Sequence, residues 1–195
     1  MQPLLKLSGL IDRLSEFVGR WIYWLVLAMV LLSAGNAIVR KLFNYSSNAY
    51  LEGQWYLFSA VFLVCAGFTL LRNDHVRIDI LTGRLSHKGQ AWIDILGTLF
   101  FLLPMVTIFI WLSIPWIYET RHDISGSAGG LPLWPARVLV PIGFSLLFLQ
   151  GLSELIKRAA FVAGKGPDPV PRHDAHAAEK ALAEEIKRMA EGGSD

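Results

Sequence analysis

Cysteine is almost missing. Cys65 is the single one among 195 residues, so the chain cannot close an internal disulfide. A lone thiol inside an apolar run packs as a small hydrophobe and says little about redox compartment. Histidine is sparse as well. His75, His87, His122, His173 and His176 all fall outside the long apolar runs, which excludes bis-histidine ligation of a haem within a membrane. No P-loop, no G-x-S-x-G, no H-E-x-x-H and no paired cysteines occur. The chain therefore carries no recognisable enzyme chemistry, and no cofactor is expected. Charge is missing from the centres of the apolar runs, where a carrier acting alone usually keeps an ionisable group for its substrate or ion. Asp94 and Asn36 lie near the ends of their runs. No internal repeat of broken helices marks a transporter core. The net charge of +2 is too small to suggest a nucleic-acid partner.

What the chain has is hydrophobic length. Apolar residues make up 53% of it, and the mean hydropathy is +0.43. They gather in four runs, at 21–39, 54–71, 92–118 and 131–156. A helix rises about 1.5 Å per residue, so about 20 residues cross the hydrocarbon core. Lipid offers the backbone no partners, so such runs form helices. A soluble bundle would need polar stripes at helical spacing, and FLLPMVTIFIWLSI (101–114) has none. The expected fold is an all-α membrane protein with four transmembrane helices. Residues 1–163 form the membrane domain.

Residues 4–18 place Leu4, Leu7, Ile11, Leu14 and Val18 three and four apart. That is an amphipathic helix, expected to lie in the membrane surface ahead of the first span. Residues 164–195 make a stiff linker, KGPDPVPRH, and a charged cytoplasmic tail with a helical pattern. The third loop, RHDISGSAGGLPLWP, reads as an ordered turn or a flexible loop. Pro104, Pro115 and Pro141 are expected to bend their helices.

Positive charge is arranged by side. Lys6, Arg13 and Arg20, then Arg72, Arg77, Arg84 and Lys88, then Lys157, Arg158, Lys165 and Arg172 fall on one side, against Arg40, Lys41, Arg121 and Arg137 on the other. Eleven against four puts both termini and the second loop in the cytoplasm. Trp21, Trp24, Trp55, Trp92, Trp116 and Trp134 mark interfaces. Trp111 sits deeper, where it faces another helix or a partner.

VRKLFN (39–44), LEGQWYLF (51–58) and the run from Leu71 and Arg72 to HVRID (75–79) resemble the small membrane subunit of TRAP transporters, the DctQ-like family. GGLPLWPARVLVPIGFSLLFLQGLSELIKR (129–158) resembles a subgroup of it. Many members have two acidic residues before the second span, whereas here Glu52 is followed by Gly53. The resemblance implies a non-enzymatic accessory subunit in a bacterial inner membrane. It would scaffold a large DctM-like permease subunit that takes up an organic acid or related solute on an ion gradient, typically sodium. A periplasmic substrate-binding protein would deliver the solute. Candidate contacts to that partner or to membrane lipids are Glu52, Trp55, Arg72, His75, Arg77 and Asp79. If 75–79 is helical, His75 and Asp79 share a face while Arg77 points elsewhere. Glu52 has a simpler role open to it, as an acid near the positive end of a helix dipole. The competing functions are a membrane anchor for a redox enzyme and a self-assembling small carrier or channel.

Overall fold

The structure is a computed structural model and describes residues 2–45, 47–72 and 86–166. Four long helices dominate: α1 (Gln2–Phe43), α2 (Asn48–Arg72), α3 (His87–Glu119, with a π turn at Thr98–Leu102) and α4 (Trp134–Val162). All four are long and apolar enough to cross a membrane. Among the described residues there is no sheet, only an isolated bridge between Ile124 and Pro132.

The amphipathic segment at 4–18 is helical, but it is not a separate element. It is the first half of α1, which runs unbroken for 42 residues, about 63 Å at 1.5 Å per residue. Its one proline, Pro3, stands in the first turn, where the missing N–H breaks no helical bond, so the backbone ladder has no forced stop. The face of this half that packs inward is made of small polar as well as apolar residues. Ser8, Ile11, Ser15 and Gly19 are buried, while Leu4, Leu7 and Leu14 stay exposed.

Helix α4 is the centre of the array and packs against each of the other three. In its most apolar 18-residue stretch 33% of residues are buried, against 6% in each of α1, α2 and α3. Hydrophobicity cannot drive helices together in lipid, so close packing and polar contacts must do it. Glycine supplies the closeness between α2 and α4. A Cβ on Gly143 would stand 2.6 Å from the Leu63 carbonyl oxygen, and one on Gly67 would stand 3.2 Å from that of Leu146. These two contacts run in the same direction along both helices, so α2 and α4 are parallel.

Helices α1 and α3 run antiparallel to α4. In α3, Pro104 has no N–H for the Phe100 carbonyl, and just before it the ladder steps to i−5, with Leu103 donating to Thr98. The widened turn brings Leu102, Leu103 and Thr98 over Gly151 of α4, where a Cβ would lie 2.7 Å from Leu102 Cδ2. One turn-pair further along, Phe109 stacks on Phe144 with centroids 4.9 Å apart. The up-down-up-down order leaves Gln2 and Gly166 on the same face of the bundle.

Gly143→Ala should overpack the α2–α4 crossing and cost about 1–3 kcal/mol. Gly97→Ala, where no atom lies within 4 Å of the new Cβ, should be neutral or slightly stabilising. Thermal unfolding of both variants in the same detergent compares them. Equal Tm values would contradict the close crossing.

Candidate functional site

Two polar clusters lie at opposite ends of the bundle. The first gathers where the beginning of α1 and the beginning of α3 meet the end of α4. Gln150, Ser153, Glu154, Lys157 and Arg158 follow one another at spacings of three and four or sit adjacent, so they fall on the α4 faces turned towards its neighbours. Ser8, Asp12 and Ser15 do the same on α1.

Asp12 is the hub. Its Oδ1 accepts from Ser153 Oγ at 2.8 Å, from Gln150 Nε2 at 3.0 Å and from Lys157 Nζ at 3.3 Å. Lys157 also reaches Oδ2 at 3.2 Å and bonds to Glu154. A hydroxyl has one proton to give. With Ser153 donating to Asp12, Ser8 donates to Ser153 at 2.7 Å. Gln150, fully buried, accepts from Ser15 Oγ at 2.7 Å and donates to Glu154 Oε1 at 3.3 Å. Arg158 pairs with Asp94 of α3 and lies 3.8 Å from Glu154. Among the described residues no buried side-chain nitrogen or oxygen lacks a partner. About two turns of α1 (8–15) thus meet about two turns of α4 (150–157).

The second cluster organises the loop between α3 and α4. Glu52 stands in the second turn of α2 and is buried. Its Oε1 accepts from Ser127 Oγ, and its Oε2 accepts from the Leu131 N–H at 3.0 Å. Tyr56, one turn on, donates to the Pro132 carbonyl at 2.5 Å. Ser127 Oγ also receives the Gly129 N–H at 3.1 Å. Gly129 must be a glycine here, because a Cβ would stand 2.6 Å from Glu52 Oε1 and 2.8 Å from the Ala49 nitrogen. Gly130 turns the chain with φ +61. Arg137 closes the other side, donating to the Thr120 carbonyl at 2.7 Å and to Asp123 at 2.9 Å while lying over the Trp116 ring. The loop is therefore an ordered turn, tied to three helices.

Of the residues expected to matter, Glu52 holds this loop in addition to sitting near the start of α2. At Gly53, where a second acid was missing, a Cβ would stand 3.6 Å from Leu32 of α1. Trp55 is 72% exposed and points away from the bundle. Arg72 ends α2 with its guanidinium 5.3 Å from the Phe68 ring centre, and that same ring fills the space over Gly19. His75, Arg77 and Asp79 lie outside the described residues, as does the tail. The structure adds the Asp12 hub and its partners, which sequence reasoning missed. The signal was available in the spacing of Ser8, Asp12 and Ser15 and of Gln150, Glu154 and Arg158, though each set also reads as an ordinary polar helix end.

Neither cluster resembles a reaction centre. The acids are engaged by donors from the protein itself, and the arrangement holds helices and a loop in place. The family model described as the DctQ component of tripartite ATP-independent periplasmic transporters matches residues 29–161, more than half of the chain. Comparison with curated proteins finds no match.

Arg158→Met should be the most damaging change at the first cluster, since it removes the cation that pairs with Asp94 and leaves Glu154 to Lys157 alone. Removing one partner of a buried ion pair costs about 3–5 kcal/mol, whereas a neutral interhelical hydrogen bond such as Ser15–Gln150 is worth about 0.6 kcal/mol. Unfolding in detergent should rank Arg158→Met well below Ser15→Ala. Adding Asp94→Asn to Arg158→Met should recover part of the loss. At the second cluster, Glu52→Gln and Gly129→Ala should both speed hydrogen exchange across 124–131 and leave the α4 core unchanged. Unaltered exchange in both would contradict the role given to Glu52.

Proposed function

The chain belongs to the DctQ family and is the small membrane component of a tripartite ATP-independent periplasmic (TRAP) transporter, not an enzyme, and from that premise we propose that it scaffolds the large permease subunit. The permease would carry the solute, an organic acid or related compound, on an ion gradient. A periplasmic binding protein would deliver it. The observation that supports this reading most is the balance of burial. Three of the four spans bury only 6% of their most apolar stretch within the chain, so broad helix faces are left for a membrane partner and lipid. Trp111 belongs to such a face. It lies about two turns inside the end of α3, deeper than Trp116 and the interface where tryptophan normally settles, and is 74% exposed.

The proposed orientation follows the basic residues. The end holding Lys6, Arg13, Lys157 and Arg158 faces the cytoplasm, and the Glu52 loop faces the periplasm. In a bacterial inner membrane this puts the ordered loop on the side from which the binding protein approaches. The connector HVRID would then sit at the cytoplasmic end, with Arg77 bonding a carbonyl or a lipid phosphate and His75 beside Asp79. The first half of α1 would lie obliquely at that same level, in contact with lipid headgroups.

Purification of the tagged chain from its native membrane in mild detergent should bring down a large polytopic permease in near-equal amount. The isolated chain should show no flux when reconstituted. Recovery of the chain alone, or solute flux without a partner, would overturn the scaffold reading. Asp79→Asn and Arg77→Gln should each lower the amount of permease recovered. Full assembly in both would remove the connector from the interface.

A further inference from the structure

The first half of α1 has a second face. Ser8, Ile11, Ser15, Gly19 and Ile22 are buried, and together they define the side turned to the rest of the bundle. At 100° per residue, Lys6, Arg13 and Arg20 fall on the opposite side, seven residues apart and therefore in line. Leu10, Phe17 and Trp21 stand between and beside them. All six are exposed. Phe17 and Trp21 meet edge to face with centroids 6.2 Å apart. A shallow cavity opens on this face, lined among the described residues by Lys6, Gly9, Leu10 and Arg13. None of the three cations forms an ion pair with a described carboxylate. The acid of this segment that lies nearest the bundle, Asp12, is turned the other way and held by α4.

We propose that this stripe is a binding site for an anionic phospholipid of the cytoplasmic leaflet, with Lys6 and Arg13 on the headgroup phosphate and the Leu10, Phe17 and Trp21 side chains along the acyl chain. This deepens the lipid contact proposed above and rests on the same orientation. The level follows from the contacts: residues 8–15 of α1 cross α4 at 150–157, the charged end of that span. The direction follows from them as well, since a face opposite a transmembrane helix points sideways into the bilayer. Charge selects the occupant. A neutral apolar partner helix would have to strip water from three cations without offering a counter-charge, which is costly. A phosphate supplies the charge and lets each long side chain keep its stem on the apolar surface.

The test uses the full chain, purified with whatever permease accompanies it, in nanodiscs of phosphatidylcholine doped with phosphatidylglycerol. Retained lipid is counted by native mass spectrometry. The parent should hold phosphatidylglycerol in preference to phosphatidylcholine. The double variant K6Q/R13Q should lose about tenfold or more of that preference, given two cations each favouring an anionic surface, while K6R alone should keep it. The double variant R40Q/K41Q removes the same charge at the other end of α1 and should behave as the parent. Equal retention by K6Q/R13Q and the parent would overturn the proposal, as would an equal loss in R40Q/K41Q. A photo-crosslinker at Leu10 that joins protein instead of lipid would also overturn it, showing a partner subunit on this face. Permease recovery is read separately in each sample. Its loss from the parent would strike the scaffold reading and leave the lipid result to stand alone.

Discussion

A buried charge with no partner is the constraint around which this molecule is organised. Glu154 and Arg158 lie one turn apart on α4, both nearly inaccessible, and neither can turn to water. In lipid the cost of leaving either alone exceeds what any single apolar contact returns. Asp94 from α3 answers Arg158, while Lys157, Gln150 and Asp12 close the circuit around Glu154. The same bonds join three helices at one end. Hydrophobic attraction could not specify that junction, because lipid tails are as apolar as the side chains they would replace.

The rest of the packing adapts to this junction and to a second device, glycine. Gly143 and Gly67 let α2 approach α4 to backbone distance, and Gly151 receives the widened turn of α3. Polar bonds fix which helices meet and at what level. The glycines fix how close they come. At the far end, Glu52 performs on a loop what Asp12 performs on helices, using both carboxylate oxygens to hold backbone and hydroxyl donors. Among the described residues polar bonds tie both ends together, while the middle of the bundle presents apolar side chains outward. That division suits the scaffold role proposed for the chain.

Much of this was legible from residues alone, and the reason is physical. Long apolar runs have one stable form in lipid, so the four spans follow from composition and length. Their ends moved: the second helix begins at Asn48, ahead of its apolar run, and the fourth continues to Val162, because helices extend past the hydrocarbon into polar residues that hydropathy does not count. The first segment was legible as helix and as amphipathic. Its inward face was not. A hydrophobic stripe suggests burial in a soluble protein, yet beside α4 the buried face carries Ser8 and Ser15 with Asp12 at its edge, since polar groups gain most from leaving lipid for one another.

The sequence by itself determined the helical class, the four candidate spans and the family likeness carried by motifs such as VRKLFN and LEGQWYLF. Each of these rests on local composition or on short-range order. Only the tertiary structure decided that α4 is the central helix, that Glu52 reaches across some 75 positions of sequence to hold Ser127, and that Asp12 meets Lys157. Those pairings depend on which helix faces lie together. Helical periodicity states that a face exists, but the choice among possible neighbours is made by the fit of whole surfaces and the satisfaction of every buried charge at once.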